Sequence, residues 1–182
     1  GLVSLMEIQA SRLGARIGPL GEPILLLEQA RSRWDHVLIR RGLAALEKAE
    51  SLGPVRGPYT LQAAIAACHA RARTPEKTDW ARIAALYDEL AKLAPSPIVE
   101  LNRAVALSMA FGPAVGLELI DRLAAEPALK NYHLLPSVRG DFLAKLGRFD
   151  EARAEMERAA SLTRNESERK MLLKRASSLK TI

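Results

Sequence analysis

The stretch Leu61-Gln62-Ala63-Ala64-Ile65-Ala66-Ala67-Cys68-His69-Ala70 aligns without a gap to Leu101-Asn102-Arg103-Ala104-Val105-Ala106-Leu107-Ser108-Met109-Ala110, with size and polarity matched at most positions. Both read as helix, because small and apolar residues recur at three- and four-residue intervals and no proline or glycine interrupts them. Working outward, Thr78, Gly112 and Gly147 fall at the turns inside successive helix pairs, spaced 34 and 35 residues apart. A constant spacing of this size marks an internal repeat in which each unit is a pair of helices.

The rest of the chain agrees with an all-α fold. It has 182 residues, 48% of them hydrophobic and only 4% aromatic, and it contains 30 Ala and 29 Leu. Alanine and leucine are among the strongest helix formers and alanine is depleted in strands. Helices are expected at about 59–72, 79–94, 97–111, 113–125, 132–146, 149–162 and 166–180, separated by breaks at Pro75, Pro95, Gly112, Pro127 and Gly147. Ser96-Pro97 supplies an N-cap followed by proline at the first helical position, where its missing N–H is no loss. Asn165-Glu166-Ser167-Glu168 places a cap three residues before a glutamate, a capping box, and Thr78 reads as the cap before Asp79-Trp80.

Trp80, Ile83, Tyr87, Leu90 and Pro95 have the spacing of the second helix of a tetratricopeptide repeat, and Gly147-Arg148-Phe149-Asp150-Glu151-Ala152 with Met156 and Ala159 matches it more closely. Gly140 falls where the first helix of its pair must approach its partner. The sequence therefore predicts one domain, 1–182, built as a tetratricopeptide-like stack of antiparallel helix pairs at 59–94, 97–125 and 132–162. An amphipathic helix within 165–182 caps the stack, since an end repeat would otherwise expose its apolar face. Two N-terminal helices within 1–58 precede the pairs. The first, over 2–17, would turn Leu2, Leu5, Met6, Ile8, Leu13 and Ile17 to one face; the second, from about 33 to 50, would turn Trp34, Val37, Leu38, Leu43 and Leu46 inward. Gly18-Pro19-Leu20-Gly21-Glu22-Pro23 and the stretch Gly53-Pro54 to Gly57-Pro58 read as loops. The start at Gly1, with neither Met nor a capping side chain, reads as a cut from a longer protein.

The concave side of such a stack is lined by the first helix of each pair. Gln62, Asn102 and Ser137 are equivalent there, His69, Met109 and Ala144 are equivalent two turns later, and Arg103 lies beside Asn102. Gln62, His69, Asn102, Arg103, Met109 and Ser137 are thus the candidate protein-binding groove, able to hydrogen-bond an extended peptide or a docked helix. Catalytic chemistry has little support. His36, His69 and His133 form no pair at metal-ligand spacing. Cys68 and His69 point about 100° apart on a helix and make no nucleophile–base pair. Phosphate loops and nucleophile elbows are missing as motifs. No catalytic residue, metal or cofactor is expected. The lone Cys68, among alanines, reads as a small buried residue of a reducing compartment, and a cytoplasmic protein without a membrane span is expected.

Net charge is +6, from 27 basic and 21 acidic residues. Arg164, Arg169, Lys170, Lys174, Arg175 and Lys180 against Glu166 and Glu168 give the tail 164–182 +4 of this. No aromatic side chain lies among these charges to stack a base, so a solvated helix face is the simpler reading than nucleic-acid contact.

Several longer segments resemble a known family. Arg31-Ser32-Arg33-Trp34-Asp35, Gly57-Pro58-Tyr59 with Leu61-Gln62-Ala63-Ala64-Ile65-Ala66-Ala67, Thr78-Asp79-Trp80, Leu93-Ala94-Pro95-Ser96-Pro97 with Val99 and Leu101-Asn102-Arg103-Ala104-Val105-Ala106, and Tyr132-His133-Leu134-Leu135 resemble the C-terminal extension of one group of extracytoplasmic-function RNA polymerase sigma factors from bacteria. The likeness runs from Leu2-Val3-Ser4-Leu5-Met6 to the final helix. It implies a regulatory or architectural part of an initiation factor, acting on the sigma domains of the same parent chain or on RNA polymerase. The polymerase-binding and promoter-reading sigma domains would precede Gly1, so promoter DNA would be contacted there. The family's gene neighbourhoods imply a small Asp-Gly-Pro-Phe-motif protein as a further partner. Two other functions stay open: an adaptor that recruits a separate protein, and a small-molecule sensor with a pocket between the repeats and helix 33–50.

Overall fold

A computed structural model describes residues 1–19, 21–53 and 55–179. Leu20 and Pro54, from the two expected loops, and Lys180, from the basic tail, lie outside the described residues, as does the end of the expected capping segment. The described residues form helices and no strand; the only extended pairing among them is an isolated bridge between Ile17 and Pro23. Packing divides the chain into two compact units, Gly1–Pro95 and Ser96–Ile182.

The N-terminal unit holds α1 (Leu2–Ala10), α2 (His36–Ser51), α3 (Pro58–Arg71) and α4 (Trp80–Leu93). Helices α3 and α4 are the first expected pair, and α1 packs against both α2 and α3. The face that α1 buries differs from the expected one. Ser4 and Ile8 are buried, while Leu2, Val3 and Met6 are exposed. The reason lies on α2: Ser4 Oγ donates a 2.6 Å hydrogen bond to Gly42 O, and a Cβ at Gly42 would come within 2.6 Å of Ile8 Cγ1. Two helices can approach this closely only where one of them lacks a side chain, so Gly42 admits Ser4 and Ile8 while Leu2, Val3 and Met6 are left outside.

α1 also ends earlier than the expected 2–17 helix. Ser11 Oγ donates to the carbonyl of Ile8, a separate 3₁₀ turn covers Leu13–Ala15, and Gly18 N–H donates to Glu22 O at 2.9 Å to close the following loop. The chain reaches α2 through two further 3₁₀ turns, Leu26–Glu28 and Arg31–Arg33. Asp35, whose carboxylate accepts from the amides of Val37 and Leu38, starts α2 beyond Trp34. Trp34 is therefore buried but lies ahead of the helix, and α2 buries Ile39, Gly42 and Leu46 while Val37 is exposed.

The C-terminal unit holds α5 (Pro97–Phe111), α6 (Pro113–Leu123), α7 (Leu134–Lys145), α8 (Phe149–Leu162) and α9 (Glu166–Ser178). These are the expected second and third pairs and the terminal helix, within two residues at most ends. Gly112 and Gly147 turn the chain with φ of +103° and +77°, a region that favours glycine. Leu101, Leu117, Ile120, Leu135, Phe142 and Leu143 form the shared core of α5, α6 and α7. Gly140 lies where a Cβ would meet Ala152 O at 3.1 Å, as the close-approach reading requires, and Gly116 is tighter still, with Ser108 Cβ at 2.6 Å and Ala104 O at 2.8 Å. α9 covers α8 through Leu172 and Ala176.

Two caps differ from expectation. Asp79, not Thr78, caps α4 by accepting from Arg82 N–H at 2.9 Å, because the Thr78 hydroxyl accepts from Arg31 instead. Asn165 caps α9, but Glu168 does not return the bond to it. The Glu168 carboxylate accepts from Thr163 Oγ1 at 2.7 Å and lies 3.3 Å from His133 Nε2, while Asn165 N–H donates to Thr163 Oγ1.

Candidate functional site

The polar groups expected to share one groove are divided between the units. Gln62 and His69 stand on α3 of the N-terminal unit; Asn102, Arg103 and Met109 stand on α5 and Ser137 on α7 of the C-terminal unit. Asn102 is exposed, and Met109, two turns further, lies on the same side of α5. Arg103 is engaged with Glu100 through Nη1, at 3.0 and 2.9 Å from its two carboxylate oxygens. Gln62 and Ser137 are half-buried.

His69 is a buried residue rather than an open groove position, at 9% exposure. Its ring meets the edge of Trp80 with centroids 5.1 Å apart, and its Nδ1 has no hydrogen-bond partner. Burial, reinforced by the positive charges of Arg12 and Arg31, pulls its pKa down to about 4. This imidazole is neutral at physiological pH.

Around His69 the fold assembles a site that the sequence did not announce. Arg31 reaches across from its 3₁₀ turn, donates through Nη1 to the carbonyls of His69 and of Ala72, the latter at 2.8 Å, and through Nη2 to Thr78 Oγ1 at 3.3 Å. A cation at this end of α3 satisfies orphan carbonyls and meets the negative end of the helix dipole. The same guanidinium lies 4.8 Å from the centre of the Trp34 ring, and that of Arg12 lies 5.8 Å from it. Gln9 Oε1 accepts from both Arg12 and Arg16. Among the described residues no carboxylate pairs with Arg12, Arg16 or Arg31, so the indole face and neutral oxygens take the place of counter-ions. Burial, with the nearby charges of Arg16 and Arg31, pulls Arg12 down to about 10; burial also lowers Arg31, against the opposing effect of Glu76.

Two clefts flank this cluster, both within the N-terminal unit. The larger, about 380 Å³, has Cys68 in its wall with Glu50, Asp79, Arg71, Lys77 and Arg82. Cys68 is thus half-buried at a cleft rather than enclosed, and burial raises its thiol pKa. The second, about 370 Å³, is lined by Arg31, Trp34, His36, Ile39, Arg71 and Arg73, with Ser32, Ala70 and Ala72. Trp34 and Trp80 pack against guanidinium and imidazole groups as well as aliphatic side chains. The signal available in the sequence was the run from Ile8 to Gly21, which carries Arg12 and Arg16 but no acidic residue, followed by Arg31-Ser32-Arg33-Trp34.

No helix among the described residues is long and apolar enough to cross a membrane, and no group of three or more His, Cys, Asp or Glu side chains among them could hold a metal ion.

Residues 1–50, which include α1, α2 and the Arg12–Trp34 contact, match a family described as a family of unknown function (DUF6596). Over 169 residues the chain is 44% identical to the uncharacterized protein R00370 of Rhizobium meliloti (strain 1021), a match covering 92% of this chain and 39% of that relative. The chain spans about two fifths of the length of that curated relative. No solved structure matches it.

Proposed function

We propose that this chain is a regulatory protein-interaction module of an extracytoplasmic-function sigma factor, acting on transcription initiation in the cytoplasm by holding the sigma domains or RNA polymerase. The observation that carries the reading is the outward face of α1. Leu2, Val3 and Met6 share one side of that helix by their spacing, at 48%, 61% and 62% exposure, and Leu13, Ile17, Leu25 and Leu27 are exposed further along. Large apolar side chains gathered on a surface mark a place where another polypeptide docks. Two further features support the reading: the helix-pair architecture, which commonly serves protein binding, and the segments quoted above that resemble the sigma-factor extension. In this reading the sigma domains precede Gly1 in the parent chain, a small Asp-Gly-Pro-Phe-motif protein is a further candidate partner, and promoter DNA is met by the sigma domains.

The test is run-off transcription with core RNA polymerase and the whole factor, intact, with Leu2→Asp and Met6→Asp together, and without these 182 residues. Both altered factors should change promoter-specific output several-fold in the same direction. Output equal to that of the intact factor in both would defeat the proposal, and an effect only of the deletion would move the docking surface away from α1.

A further inference from the structure

We infer that the cleft between the start of α2 and the end of α3 is a binding site for a small organic phosphate monoester. The inference is independent of the sigma-factor reading and concerns the N-terminal unit alone. The cleft has three guanidinium groups on its walls, from Arg31, Arg71 and Arg73, together with the His36 ring and the Ser32 hydroxyl, and no carboxylate lines it. The acidic residues nearest in the chain are otherwise engaged. Asp35 accepts from the first amides of α2, and Glu76, whose charge acts on Arg31 through space, is hydrogen-bonded to its own backbone and to Thr74.

A second observation concerns atoms rather than charge. Trp34, only 4% exposed, forms part of the cleft wall, and its Nε1 has no acceptor; Arg31 Nε has none either. Both atoms are buried beneath the wall and not open to the cleft, so a ligand would be held by the arginine side chains at its rim. The negative end of α3, which would repel an anion, is already covered by Arg31. Arg71 and Arg73 are exposed at the rim and pair with no carboxylate among the described residues, so both are free to fork onto an oxyanion. The cleft is also larger than one phosphate needs, and Ile39, Ala70, Ala72 and the Trp34 ring give it an apolar side. A phosphate carried on a planar or apolar group fits this division into a cationic rim and an apolar wall.

The experiment is isothermal titration of the 182-residue chain with phenyl phosphate, with inorganic phosphate, and with a short duplex DNA, repeated on Arg71→Ala/Arg73→Ala. Both arginines are exposed, and unchanged circular dichroism and melting temperature would confirm that the variant is folded. Phenyl phosphate should bind saturably, one per chain, more tightly than inorganic phosphate, and about tenfold or more weakly to the double variant, a loss of about 1.4 kcal/mol or more. Absence of saturable binding by phenyl phosphate, or equal affinity in the folded variant, overturns the inference. Tighter binding of the duplex through the same two arginines would assign the cleft to a nucleic-acid backbone and overturn it as well.

Discussion

Protonating His69 should unfold this protein's N-terminal unit more readily than the pH dependence of its carboxylates alone would. The imidazole is 9% exposed, its Nδ1 has no partner, the carbonyl of its own residue is taken by Arg31, and two guanidinium groups act on it. Its pKa in the fold is about 4, against 6.5 for the free side chain. Between these values the unfolded chain binds more protons than the folded one, so stability rises with pH across that window. The contribution is fully present above about pH 7.5 and is lost as pH falls through 6.5 toward 4. Linkage puts the loss at about 2 kcal/mol by pH 5 and about 3 kcal/mol by pH 4. Urea denaturation at pH 7.5 and pH 5.0, on the natural chain and on His69→Gln, isolates this from every other titrating group. The natural chain should lose about 2 kcal/mol more than the variant over that interval. Parallel losses in the two proteins would refute the reasoning, as would an imidazole Cε1 proton resonance of His69 that titrates near pH 6.5.

Three further outcomes follow from packing and capping. Gly116→Ala would force a methyl group against the Ala104 carbonyl and the Phe142 ring, and should lower stability by about 2–3 kcal/mol in urea denaturation; Gly42→Ala, which pushes on the more adjustable Ile8 side chain, should cost about 1–2 kcal/mol. Asn165→Ala removes the acceptor for the amides of Ser167 and Glu168 and should cost about 1 kcal/mol, read from the same denaturation curves. Cys68, with its thiol pKa raised chiefly by burial, should react with iodoacetamide at pH 8 more slowly than a free cysteine, and unfolding in urea should restore the ordinary rate.

From Pro58 onward the helices were legible because each boundary carries its own chemistry. Pro97 and Pro113 open helices at the position where a missing N–H is harmless, and Gly112 and Gly147 take backbone conformations that other residues avoid. The N-terminal unit was less legible for a specific reason. Periodicity counts where apolar residues recur, and over 2–17 it selects Leu2, Leu5, Met6, Ile8, Leu13 and Ile17, of which Ile8 is buried and Leu2, Met6, Leu13 and Ile17 are exposed. What decides the buried face is Gly42 on another helix, which admits only Ser4 and Ile8 at close range. The Arg12, Arg31, Trp34 and His69 contacts were hard to read for a related reason: they come from three separate segments, and an arginine without an acidic neighbour reads in sequence as a solvated charge. His69, expected to line an open groove, is instead buried, because its ring packs against Trp80.

Where the net charge matters is settled by pairing, not by counting. The segment 164–182 holds +4 of the +6, yet Arg169 pairs with Glu166 at 2.9 Å and Arg175 with Asp141 at 2.6 Å, so part of its charge is answered within its own unit. The N-terminal unit has 13 basic against 10 acidic residues, half of the whole surplus, and its Arg12, Arg16, Arg31, Arg71 and Arg73 pair with no carboxylate among the described residues, three of them bordering one cleft. An anion approaching the terminal helix competes with carboxylates already in place, whereas no carboxylate lines the cleft between α2 and α3. Arginines held against an indole ring and carbonyl oxygens are also already desolvated in part, which reduces what a ligand must overcome to reach them. The two units therefore differ in where their charge stands: the C-terminal one ties several arginines into ion pairs, while the N-terminal one keeps arginines without carboxylate partners and exposed apolar surface together within its first 73 residues.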